Sequence, residues 1–133
     1  MAKKENQYSA TIRECSKELS AKEKVMYKDT SNATQLVDYV RDCRANDGRA
    51  TIDYDSYAII EVHNEAADNK DYTIFLFVDK AGNKYYTSSE PCFNSFLEIY
   101  KEMKDETEPW GLEFNLSPSK KHAGKEILTC SLI

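Results

Sequence analysis

The sequence predicts a mainly β, α+β domain: an OB-like antiparallel barrel or curved sheet of five to six strands, with one amphipathic helix between strands and a terminal β-hairpin. Three observations predict it. Short strand-like runs recur from Ala50 onwards, separated by turn residues. One stretch after them has a clear helical period and its own cap. Two further strand-like runs then close the chain, the element order of an OB-type barrel. An open antiparallel sheet with the helix across one face has the same periodicity, so both layouts stand.

Residues 1–6 read as a flexible basic arm and residues 7–133 as a single domain. Tyr8 to Cys15 alternates as a first strand. Ser20-Ala21-Lys22-Glu23 fits a capping box and starts a short helix to about Lys28. After the turn Asp29–Asn32, residues 33–40 read as another short helix with Leu36, Val37 and Val40 inward. Asp47-Gly48 is a turn. Thr51–Tyr54 and Tyr57–His63 read as two strand segments, the second with Ala58, Ile60 and Val62 on one face. Asn64–Asp71 is a polar loop, and Tyr72–Asp79, apolar on both faces, is the strongest strand. Lys80–Asn83 turns it back into Lys84–Thr87. Ser89 caps the main helix, in which Phe93, Phe96, Leu97 and Tyr100 share one face up to about Lys104. Trp110–Leu116, a loop over 117–124 and Glu126–Leu132 form the closing hairpin.

Composition narrows the function. The chain of 133 residues is 41% hydrophobic and 31% charged, an ordinary globular balance. Its longest apolar run, Ile74–Val78, is too short to span a bilayer, and the polar N-terminal segment lacks the apolar stretch of a signal peptide. We therefore expect a soluble cytoplasmic protein without membrane partners. Cys15, Cys43, Cys92 and Cys130 are spread out, with no C-x-x-C pair, so we expect reduced thiols and no metal site. No phosphate loop, G-x-S-x-G or H-E-x-x-H stands in the chain, and we expect no enzyme and no cofactor. Glu61 with His63, a pair able to transfer a proton, and Asp53 with Asp55, a pair able to bind a metal loosely, share strand faces; both read first as solvent-facing pairs.

Nine tyrosines, set mostly in strands, are the strongest functional signal. A buried tyrosine needs a partner for its hydroxyl, whereas a half-exposed one offers a flat surface on which a base can stack. Lysines beside such rings could track phosphates. This selects Tyr57, Tyr72, Tyr85, Tyr86, Lys70, Lys84, Lys120 and Lys121 as a candidate nucleic-acid-binding set. Plain strand packing is the competing reading of each tyrosine. Charge opposes the nucleic-acid reading: residues 50–133 hold 8 basic against 15 acidic side chains, so a polyanion would need a local basic groove.

The order of strands 51–62, 72–79 and 84–87, the helix 89–104 and the closing Lys120-Lys121-His122-Ala123-Gly124-Lys125 hairpin resembles the single-stranded DNA-binding proteins of small, protein-primed tailed phages (Picovirinae-like). The resemblance spans about residues 50–133 and is one of layout. It implies an OB-like fold, sequence-independent binding of single-stranded DNA during phage replication, and no cofactor. Its partners would be single-stranded DNA and phage replication proteins, in the bacterial host cytoplasm, with the chain acting as a monomer or homo-oligomer. The acidic C-terminal tail of many bacterial single-strand binders is missing from Ser131-Leu132-Ile133. The alternative from another class is an acidic phage protein that binds and inhibits a host protein, as a DNA mimic or anti-defence factor.

Overall fold

The amphipathic runs fold into one curled, open half-barrel with helices against it. The computed structural model describes residues 8–66, 68–121 and 123–133. The proposed arm over residues 1–6 and His122 lie outside the described residues. In chain order the elements are β1 (Tyr8–Cys15), α1 (Ala21–Lys28), β2 (Thr34–Gln35), α2 (Leu36–Ala45), β3 (Ala50–Asn64), β4 (Asp71–Asp79), β5 (Lys84–Thr87), α3 (Glu90–Met103), β6 (Gly111–Pro118) and β7 (Glu126–Leu132). The strands run in the order β2-β5-β4-β3-β6-β7, and β1 also pairs with β3. Every pair is antiparallel except the short β2–β5 pair. The mainly β, OB-like class stands, with seven strands rather than five or six; among the described residues the three helices fall where the two short helices and the one amphipathic helix were expected. Among those residues, no helix is long and apolar enough to cross a membrane.

Strand β3 organises the sheet, and a bulge organises β3. The two segments read from sequence are one strand whose pairing with β4 slips between Tyr54 and Ser56. The extra residue reverses the side-chain alternation. Ala50, Ile52 and Tyr54 face the same cluster as Tyr57 and Ile59 beyond the bulge, while Ala58, Ile60 and Val62 face the other. The first cluster holds α2, α3 and the β6–β7 hairpin against the sheet through Leu36, Val40, Phe93, Phe96, Phe114 and Leu128. The second packs Tyr27 of α1 onto Ala58, Ile60, Val62, Ile74, Leu76 and Val78. Strand β4 supplies both clusters, which explains its unbroken apolar run.

The capping box on α1 is formed: Ser20 Oγ accepts from the Glu23 N–H at 3.1 Å, and Glu23 returns an acceptor to the Ser20 N–H at 3.0 Å. Helix α2 continues to Ala45, past the expected end near Val40. Its last turn is fixed by Arg44, which donates to the Leu116 carbonyl, and by Asn46, whose side chain donates to the Asp42 carbonyl at 2.8 Å.

Candidate nucleic-acid interface

The four tyrosines selected as stacking surfaces divide between the two clusters, and the hydroxyls of two of them, Tyr57 and Tyr85, have protein partners. Tyr57 is 5% exposed; its ring meets Phe93, Phe96 and Tyr100 edge-on, and its hydroxyl donates to Glu14 at 2.6 Å. Burial and then Glu14 push its pKa up. This corrects the sequence reading: Tyr57 is a core residue, because a carboxylate from β1 satisfies the hydroxyl that was expected to keep it out of the core. Tyr85 is half-buried on the first cluster beside Tyr39, with ring centroids 5.0 Å apart and its hydroxyl 3.4 Å from Asp79. Desolvation, with Tyr39 and Asp79 adding to it, raises its pKa to about 12. Tyr72 and Tyr86 lie on the opposite face and remain partly open there. One face therefore holds Tyr72 and Tyr86, and the other Tyr57 and Tyr85.

Two of the four selected lysines are engaged by the protein. Lys84 donates to the Met26 carbonyl at 2.6 Å and also to that of Asp29, so it closes the C-terminal end of α1. Lys70 pairs with Glu65 at 3.2 Å in the β3–β4 hairpin. Glu65 also bonds His63 Nε2, and Asp71 takes His63 Nδ1 at 2.7 Å. Glu61 is held separately by Arg13 and Thr73, so the Glu61–His63 pair read from the sequence is not an acid–base couple.

Asp71 first, and Glu65 next, raise the His63 pKa above 6.5. A raised folded value means that this clasp stabilises the hairpin fully below about pH 6.5, and that the contribution fades as pH rises through the folded pKa. An NMR titration of the assigned His63 ring should give a midpoint above 6.5, and Asp71→Asn should move it down. A wild-type midpoint at or below 6.5 would show that the clasp does not form.

Lys120 and Lys121 are placed differently. They lie in the β6–β7 connection, where they join Lys125, Pro91, Pro118 and Ile127 around a hollow of about 620 Å³. The connection closes through the Ser119 N–H on the Lys125 carbonyl at 2.8 Å. Gly124 holds a positive φ of 79° there, a turn geometry that a β-carbon would strain. Among the described residues, the ammonium groups of these three lysines enter no ion pair. The one carboxylate lining the hollow, Glu126, is held by Arg44 at 3.5 Å and Arg41 at 3.9 Å. Local charge is thus positive on a chain whose net charge is −5.

No family model, curated protein or solved structure matches this chain.

The sequence reading missed Lys125, Arg41 and Arg44. Lys125 was legible, since a hairpin joining 118 to 126 must return it beside Lys120. The two arginines were not, because α2 was ended before them. Lys120 and Lys121 line one hollow, and none of the selected tyrosines lines it.

Proposed function

We propose that the chain binds single-stranded DNA without sequence preference, and that the β6–β7 hairpin supplies its phosphate contacts. The observation that supports this reading is the lysine-rimmed hollow: three ammonium groups that enter no ion pair among the described residues, around apolar Pro91, Pro118 and Ile127. Phosphate contacts of this kind position a strand without reading its bases. The curled half-barrel agrees with such a role, since OB-type barrels bind oligonucleotides on one face and its loops. A function in phage replication rests on the resemblance of layout alone. The hairpin lysines, more than the strand tyrosines, support this reading.

Gel shifts with single- and double-stranded oligonucleotides of mixed and homopolymeric sequence test the specificity. Single strands should bind in preference to duplex, with homopolymers and mixed sequences alike. A strong preference for one sequence or for duplex would overturn the reading.

A second reading is favoured by a separate observation: Asp105, Glu106 and Glu108 are all exposed at the far end of α3. Such an acidic patch suits a basic host protein. In that case oligonucleotides would not shift at any salt concentration.

A further inference from the structure

A second hollow, of about 230 Å³, lies at the β3 bulge, beyond the C-terminal end of α3. Its lining includes Ser16, Asp55, Tyr54, Tyr100 and Trp110. Tyr54 is 7% exposed, and its hydroxyl has no hydrogen-bond partner among the described residues. That sets it apart from Tyr27, Tyr39 and Tyr57, whose hydroxyls bond Ser56, Thr51 and Glu14. Ser16 lies near the Tyr54 hydroxyl but outside hydrogen-bond geometry, and its own Oγ accepts from the Tyr57 N–H at 2.9 Å. The polar groups acting on the Tyr54 hydroxyl include Ser16, Tyr100 and Asp55, which all line this hollow. A buried hydroxyl left unpaired is costly, and in native proteins it calls for a specific explanation.

The surroundings indicate what would pair with it. Trp110 stacks on Tyr54, with centroids 4.3 Å apart, and keeps part of its surface open. Tyr100 closes the site at 63° to Tyr54. The rim carries Lys17, Lys80 and Lys104 against Asp55, Glu106 and Glu108, and Lys17 is already bonded to Asp55 at 3.1 Å. A balanced rim suits a neutral ligand better than a polyanion. Burial holds the Tyr54 hydroxyl protonated, so it offers a donor. The volume is below the usual 300–1,000 Å³ or so of drug-sized sites.

We infer that this hollow binds one planar heteroaromatic ring carrying a hydrogen-bond acceptor, a nucleobase, against Trp110 and the Tyr54 hydroxyl. The base could come from a free nucleoside or from a strand. Only the second source rests on the DNA reading above.

Trp110 is the sole tryptophan of the chain, so its emission reports on this site. The full chain and its Tyr54→Phe variant are titrated with adenosine, thymidine and a thymidine oligonucleotide, and both proteins are melted. Wild type should show saturable quenching. Tyr54→Phe should bind about 3- to 10-fold more weakly, the effect of one net hydrogen bond, while melting no lower because an unpaired buried hydroxyl has been removed. Quenching by nucleosides identifies a free ligand. A Tyr54→Phe effect confined to the oligonucleotide identifies a strand base. If nucleosides fail to quench and the variant binds the oligonucleotide like wild type, the inference is overturned while the DNA reading survives. Nucleoside quenching with no oligonucleotide binding would sink the DNA reading and keep the site.

Discussion

Replacing Phe96 by alanine should destabilise the protein by about 3–5 kcal/mol, the usual cost of deleting a buried phenylalanine. Phe96 is 0% exposed, and its ring lies within 4.9–5.7 Å, centroid to centroid, of Phe77, Tyr57, Tyr54, Phe93 and Tyr100. Those neighbours come from β3, β4 and α3, so the cavity would open where the sheet meets its main helix. Tyr54, Tyr57 and Phe77 are held by the sheet register and, for Tyr57, by Glu14, which limits their collapse into the space. Set against a domain stability of about 5–15 kcal/mol, the loss should appear as a large drop in the urea midpoint. Val25→Ala is the matched control: Val25 is 66% exposed on α1, and its removal should shift stability by no more than about 0.5 kcal/mol. Equal midpoints for the two variants would show that the aromatic cluster is not the core.

Reversing three charges, Lys120→Glu, Lys121→Glu and Lys125→Glu, should have the largest effect on DNA binding and almost none on folding. The three ammonium groups enter no ion pair among the described residues and lie in an exposed connection. Each phosphate–lysine attraction at about 4 Å in water is worth about 1 kcal/mol. Turning three attractions into repulsions therefore removes at least about 3 kcal/mol, more than a hundredfold in affinity. The dependence on salt should flatten as well, since each lost phosphate contact takes about 0.7 from the slope of log K against log salt for a single strand. Unchanged affinity in the triple variant would move the interface away from the hairpin. A matching fall in the thermal midpoint would show that the variant acts through folding.

The sheet was legible where side chains follow one rule, and much less so where they switch. The unbroken apolar run in Tyr72–Asp79, the strand-like run Glu126–Leu132, and the helical spacing of Phe93, Phe96, Leu97 and Tyr100 mark those elements nearly to the residue. Strand β3 was split in two because its inward residues change parity at the bulge. The signal was present in Tyr54 and Tyr57, which lie three residues apart rather than two. The tyrosines misled for a related reason. Whether a tyrosine is a surface platform or a core residue depends on whether a partner reaches its hydroxyl, and the partners Glu14, Thr51 and Ser56 come from distant positions or other elements. Tyr54 is the exception, buried with no partner for its hydroxyl among the described residues. Lys84 and Lys70 likewise looked free in sequence, but they close a helix end and an acidic hairpin.

In the proposed function, an acidic chain binds single-stranded DNA through one basic hairpin. Fluorescence anisotropy of a labelled thymidine oligonucleotide, titrated with wild-type protein across a salt series, tests it most directly. Saturable binding that weakens steeply and log-linearly with salt, and that loses about 2 from its slope in the triple lysine variant, is the predicted result. No binding at the lowest salt would contradict it.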